Sequence, residues 1–248
     1  EALSSVIDYN DGRIVITVSE SADTRANNLV DYGGFSLADQ TGGAGASAVA
    51  ISGASLTHGR VPTVILTISE VERSLAIALS GTPGGNGDAV ILDISANSFQ
   101  DLAGNLNADN LNLTVLEIAD TTKPVVQNAQ VQLSTGVLTI VISETVDGTP
   151  LSLVDNSKFS IVNELGSESI LSDATFTAVD LTVMTFTLTE TQRIAAIRFS
   201  ASVPSGGDGT PATISVGGNA FRDIAQNLNV EFTQITLTEV ADTVVPGI

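Results

Sequence analysis

The chain is a tandem duplication, and that repeat limits its possible folds more than any motif does. Gly12 to Leu37 aligns without a gap on Gly136 to Ile161, an offset of 124 residues. Within that block Ser19-Glu20 falls on Ser143-Glu144, Asp23 on Asp147, and Leu29-Val30-Asp31 on Leu153-Val154-Asp155. A second block, Asn97 to Asn107, meets Asn219 to Asn229 with seven of eleven residues identical. A third, Ala119-Asp120-Thr-Thr-Lys-Pro124, meets Ala241-Asp242-Thr-Val-Val-Pro246. Three ordered blocks at one period exclude chance similarity. Each copy is domain-sized at roughly 120 residues and has to bury its own core. The expected division is one domain over 1–120, a second over 121–242, and over 243–248 the start of a linker to a following repeat. Proline stops strand pairing at both boundaries. The recurrence of the boundary phrase near the end leads us to expect flanking copies.

Inside a copy the hydrophobic period is two. Arg13 to Val18 reads as a strand entered by Asn10-Asp11-Gly12, a hairpin turn signal. Asn110 to Val115 alternates, which predicts a strand with its apolar residues on one face. Ala48 to Ile51, Thr63 to Ile68 and Ala89 to Ile94 are further strands. Ser69-Glu-Val-Glu72 and Thr189-Glu-Thr-Gln192 fit a capping box, and each opens about two helical turns carrying Val71 and Leu75 or Arg193, Ile194 and Ile197. About seven short strands per copy with regular turns imply an all-β fold. The expectation is two tandem immunoglobulin-like antiparallel β-sandwiches, each with one short helix.

Composition narrows the function. The formal net charge of −19 and a pI near 4.1 exclude nucleic acid as a partner, because phosphates would be repelled. The same charge disfavours an anionic membrane face, and no apolar run approaches the ~20 residues of a spanning helix. With 43 % hydrophobic residues the chain can still build cores. There is no cysteine and a single histidine, His58, so disulfides, thiolate nucleophiles and histidine-based hydrolytic or metal centres are excluded or nearly so. A carbohydrate-processing enzyme needs two placed carboxylates in an aromatic-lined cleft, and aromatics make up only 4 %. The chain does not read as an enzyme.

Three acidic landmarks recur: Glu20 and Asp23 with Glu144 and Asp147; Asp101 and Asn105 with Asp223 and Asn227; and Asp120 with Asp242. If the first strand of a copy runs up, the second ends at the bottom at Glu20. The penultimate strand also runs down, to the Asp101 loop, and the last runs up to Asp120. Copies joined end to end would set Asp120 beside the bottom of the next copy. Converging carboxylates repel unless a cation sits among them, and Ca²⁺ takes six to eight hard oxygen ligands from loops. The expected ligands are Asp120, Glu144 and Asp223, with Asp147 and Asn227 as weaker candidates. Glu20 and Asp101 would form the matching half-site toward a preceding copy, and Asp242 would face a following one. The alternative reading is turn chemistry, in which Asp and Asn bond their own backbones. Asn112-Leu113-Thr114 is an N-glycosylation sequon on an outward face. His58 reads as a surface turn residue. The glycine stretches Thr41 to Gly45 and Thr82 to Gly87 lack a strand–GxGxxG–helix context and read as loop tips.

Asp120-Thr-Thr-Lys-Pro124, Ser143 to Asp147 and Phe99-Gln-Asp-Leu-Ala-Gly-Asn105 resemble the recurring phrases of prokaryotic Ig-like surface repeats, which build surface-layer (S-layer) proteins and large adhesins. Thr187 to Ile197 is similar to repeats in surface-layer proteins of ammonia-oxidising archaea. The resemblance implies an extracellular location at the cell surface, assembly with copies of itself in a lattice or array, and calcium dependence. The resulting expectation is a structural protein of a self-assembling coat. An adhesin extender and an extracellular filament subunit held by donated strands are the alternatives.

Overall fold

The computed structural model describes residues 1–39, 47–59 and 62–244. The chain divides into two compact units, Glu1–Thr122 and a second from Lys123 onward.

In the first unit β1 (Ala2–Asp8) and β2 (Arg13–Val18) pair antiparallel through the Asn10-Asp11-Gly12 turn. Gly12 has φ +69°, a left-handed conformation that any side chain resists. The unit continues through β3 (Phe35–Asp39), β4 (Ala48–Ala50), β5 (Ser55–Thr57) and β6 (Thr63–Thr67). Helix α1 (Glu70–Leu79) follows, and β7 (Val90–Ile94) and β8 (Asn110–Ile118) close the unit. Along the sheet the strands run β4-β3-β7-β8-β1-β2-β6-β5.

The long strand β8 joins two layers. Its first half pairs antiparallel with β7, and its second half pairs parallel with β1, from Ser5 opposite Val115 to Asp8 opposite Ile118. A bulge at Asn112, with φ +61°, slips the register between Leu92 and Ile94, and the change of partner follows it between Thr114 and Val115. Two expectations are corrected here. Among the described residues the unit has eight strands rather than seven, and its pairing is not wholly antiparallel. The reason is that β8, after running against β7, crosses to the second layer and meets β1 heading the same way.

Alternation fills the interior. Ile14, Ile16 and Val18 of β2 point inward with Ile7, Val64, Leu66, Phe35, Leu37, Leu92 and Ile94. Helix α1 is held at its start by the expected capping box: Ser69 Oγ accepts from the Glu72 amide, and Glu72 Oε2 accepts from the Ser69 amide. The face it buries carries Glu72, Arg73, Ala76 and Ile77, whereas Val71 and Leu75 are exposed.

The second unit repeats this architecture. Its strands are β9 (Val126–Gln132), β10 (Val137–Ile142), β11 (Phe159–Val162), β12 (Glu168–Ile170), β13 (Thr175–Phe176) and β14 (Val183–Thr187). They are followed by α2 (Glu190–Arg198), β15 (Thr213–Val216) and β16 (Phe232–Val240). The order β12-β11-β15-β16-β9-β10-β14-β13 matches the first unit position for position, including a parallel β16–β9 pair. One buried cluster draws side chains from both layers, and Phe159 of β11 meets Phe186 of β14 with ring centroids 4.9 Å apart. The layers therefore pack face to face. In each unit the first and last strands are parallel neighbours, so the chain enters at one pole and leaves at the opposite one.

Candidate functional site

At the entry pole of the first unit, β2 ends at Val18 and passes into Ser19-Glu20. Ala22 then forms an isolated bridge with Asp101, and Val30 forms one with Phe99, which pins the Phe99 to Asn107 loop to this pole. Asp101 organises that loop. Its Oδ1 accepts from the Ala103 and Asn105 amides, each at 2.8 Å, and its Oδ2 accepts from the Asn105 side-chain amide at 2.8 Å. These bonds, the Asn105 side chain first, hold the Asp101 carboxyl below the usual carboxylate range. Glu1, Glu20 and Asp101 together line a shallow cleft of about 210 Å³, with Asn105 and Asn107 beside them.

The second unit builds the same pole. Val146 bridges to Asp223, whose Oδ1 accepts from the Asn227 amide at 2.8 Å and whose Oδ2 accepts from the Asn227 side chain at 3.0 Å. Gln226 takes φ +71° where the first unit has Gly104 at +89°, so the loop keeps its shape despite the lost glycine. Glu144 and Asp223 are buried, and each offers a carboxylate oxygen within 4.8 Å of the other's. Asp147 is engaged elsewhere: its Oδ2 accepts from Arg222 Nε at 2.9 Å and lies 2.8 Å from Arg222 Nη2. Burial raises the Asp147 carboxyl even though Arg222 opposes the shift. In the first unit Asp23 is likewise bound by an arginine, Arg25.

The boundary aspartates lie at the exit poles, as the strand directions imply, and each is held by an arginine that the sequence reading did not assign. Arg73 of α1 donates from Nη1 to Asp120 Oδ2 and to the Tyr9 carbonyl, both at 2.7 Å. Its Nε and Nη2 bind Glu70, and the Thr122 amide donates to Asp120 Oδ1. In the second unit Arg193 Nη1 reaches Asp242 Oδ2 at 2.9 Å and the Leu133 carbonyl at 2.8 Å, with Glu190 on its other nitrogens. The Val244 amide, then Arg193, hold the Asp242 carboxyl below its ordinary range. The signal was present in the sequence: Glu70-x-x-Arg73 recurs as Glu190-x-x-Arg193, just inside each capping box.

Asn112 is exposed in the β8 bulge, its amide donating to Asp93 Oδ1 at 2.7 Å, and Gln234 repeats its positive φ at +58°. His58 is exposed, with Nδ1 2.9 Å from the Thr24 carbonyl. Thr82 to Gly87 forms the turn between α1 and β7, whereas Thr41 to Gly45 and the last residues of the expected linker, 245–248, lie outside the described residues.

Chemically, the entry poles offer hard oxygens and no soft ligand. Asp101 and Asp223 plainly perform turn chemistry, but a carboxylate oxygen that accepts one amide retains a lone pair for a cation.

No family model and no curated protein matches the chain. Among solved structures, two marsupial T cell receptor chains align at 13 % and 15 % identity, over 100 % and 96 % of this chain and 74 % and 72 % of theirs. The TM-score is 0.22 for each, too low to carry an argument. Among the described residues no helix is long and apolar enough to cross a membrane.

Proposed function

We propose that the chain is a pair of immunoglobulin-like sandwich repeats from a structural, self-assembling S-layer coat at the extracellular surface, with calcium stabilising the acidic poles. The observation that carries this reading is the parallel pairing of first and last strands in both units. A module that takes the chain in at one pole and releases it at the other extends a string of repeats with each copy added. Such a module serves as a spacer or lattice element. Its acidic surface suits a saline exterior, where screening shortens repulsion to about 8 Å or less.

The calcium reading assigns Asp120 of one copy and Glu144 and Asp223 of the next as ligands. Two buried carboxylates with oxygens within 4.8 Å support it, because like charges at that separation favour a divalent cation. Asp147, which is bound to Arg222, and Asn227, whose side-chain amide nitrogen donates to Asp223 and leaves its carbonyl oxygen as the candidate ligand, are the weaker members of this set. Glu20 and Asp101 would form the half-site toward a preceding repeat, and Asp242 the one toward a following repeat. Asn112 would carry a glycan on an exposed bulge.

Light scattering and electron microscopy on adding millimolar CaCl₂ test this reading. Ordered sheets that dissolve in EGTA are the expected result. Rods that stiffen without assembling would instead mark an adhesin extender, and no response to calcium would remove both readings.

A further inference from the structure

The turn between α1 and β7 holds Asn86-Gly87, the one Asn-Gly pair of the chain. An asparagine followed by glycine is chemically labile, because the next backbone nitrogen can close on the side-chain carbonyl carbon and glycine has no Cβ in the way. Both residues are exposed, and beyond its chain neighbours a Cβ on Gly87 would meet nothing within 4 Å. Asn86 Oδ1 accepts from the Asp88 amide at 2.9 Å, an Asx turn that folds the side chain back along the Gly87 peptide. Two further bonds restrain the pair. The Gly87 amide donates to the Ser80 carbonyl at 3.2 Å, and Asn86 Nδ2 donates to Asp39 Oδ2 at 2.9 Å.

The second unit carries the product of that lability at the same place. Asp208-Gly209 aligns with Asn86-Gly87 at an offset of 122 residues. The Gly209 amide donates to the Ser200 carbonyl at 3.2 Å, and Asp208 Oδ1 accepts from the Thr210 amide at 2.9 Å. Gly87 and Gly209 share a positive φ, +97° and +95°. The turn therefore accepts an aspartate without a change of shape. The residue aligned with Asp39 differs as well: it is Asn163, whose Oδ1 accepts from the Leu165 and Ser167 amides. Each unit keeps one carboxylate and one amide at these two positions. An aspartate at position 86 would set two carboxylates together in the first unit.

We propose that Asn86 is a site of self-modification, converted to aspartate or isoaspartate through a cyclic imide at a rate that the folded turn restrains. The Gly87 nitrogen gives its proton to hydroxide and bonds to Cγ of Asn86. The Cγ–Nδ2 bond breaks, and Nδ2 takes a proton from water and leaves as ammonia. Water then opens the imide. Addition at Cγ breaks the new bond to Gly87 and leaves aspartate. Addition at the main-chain carbonyl carbon breaks the original peptide bond and leaves isoaspartate, with the chain routed through the side chain. In the folded turn the Ser80 carbonyl must release the Gly87 amide first, and Asp39 holds the nitrogen that has to leave. The aspartate product keeps the turn, as Asp208 does, but exchanges the bond to Asp39 for repulsion between like charges.

Incubation of the full chain at mildly alkaline pH in EGTA, with ammonia release and peptide mass mapping followed over time, tests it. The loss should map to Asn86 and run about tenfold slower in the folded chain than in urea, because two hydrogen bonds must open first. Asp39→Ala should speed the reaction of the folded chain about threefold and leave the rate in urea unchanged, a difference that only the native contact produces. Asn86→Asp, made directly, should lower the melting midpoint of the first unit by about 4 °C. Adding Asp39→Asn, the residue type the second unit holds there, should restore most of that loss, and this pair of variants needs no result from Asp39→Ala. Ammonia traced only to other residues, equal rates in folded and unfolded chains, or a folded rate unmoved by Asp39→Ala overturns the proposal. A midpoint of Asn86→Asp equal to that of the wild type overturns the role given to Asp39.

Discussion

Arg73→Met and Arg193→Met should differ sharply, although the two arginines occupy equivalent positions. The Arg73 and Asp120 side chains are 7 % and 1 % exposed, whereas those of Arg193 and Asp242 are 21 % and 22 % exposed. Removing one member of a buried ion pair costs about 3–5 kcal/mol, because the remaining charge stays out of water. Removing one from a partly solvated pair costs about 1 kcal/mol or less. Methionine preserves the packing of the arginine stem, and the lost contact to Glu70, whose side chain is less exposed than that of Glu190, acts in the same direction. At roughly 4 °C per kcal/mol for a unit of this size, Arg73→Met should lower its unit's midpoint by at least about 12 °C and Arg193→Met by about 4 °C or less. Scanning calorimetry in EGTA resolves the two units and keeps metal out of the comparison. Equal shifts, or a larger shift for Arg193→Met, would refute the burial argument.

Three further outcomes follow from local geometry. A Cβ on Gly85 would sit 2.0 Å from the Ser80 carbonyl oxygen, and one on Gly207 2.1 Å from that of Ser200, so either Gly→Ala change should cost roughly 2 kcal/mol or more in urea unfolding. Glu72→Ala should destabilise more than the ~1 kcal/mol expected for Ser69→Ala, because Glu72 Oε1 also accepts from the Gly53 amide at 2.6 Å; equal losses would contradict this. The depressed Asp101 carboxyl contributes stability above the unfolded value near 3.9, and that contribution is lost as pH falls through the lower folded value. Asn105→Ala removes the main cause of the depression, so its melting deficit at pH 6 should vanish by about pH 2, and a deficit independent of pH would count against the assignment.

The duplication, both helix starts, the hairpin at Gly12 and the poles of the acidic loops were legible in the sequence because each depends on neighbours or on spacing. The Asn110 to Val115 strand shows where that reading stops. Its alternation predicted apolar residues on one face, but the bulge at Asn112 leaves Leu111 58 % exposed and only Val115 of that set buried. A strand that serves two layers cannot keep one phase, and nothing local announces the change of partner. The parallel β1–β8 pair was hidden for the same reason, since a pattern gives the face of a strand but not its neighbour. The Arg73–Asp120 pair joins residues 47 positions apart, which only the placement of α1 over the pole brings together. Asp147 shows the converse: it recurs with Asp23 in an acidic motif, yet both are bound by arginines, Asp23 by Arg25 two residues on and Asp147 by Arg222 of the neighbouring acidic loop, 75 residues away.

The central claim is that the acidic poles hold calcium, and calorimetry of the full chain in CaCl₂ and in EGTA tests it most directly. At free calcium one hundred times its dissociation constant, linkage supplies about 2.7 kcal/mol to the state that binds it, a rise of roughly 10 °C for a unit of this size. The account predicts that rise in wild type and its loss in Asp223→Asn. Identical melting with and without calcium would contradict it and leave Asp101 and Asp223 with turn chemistry alone.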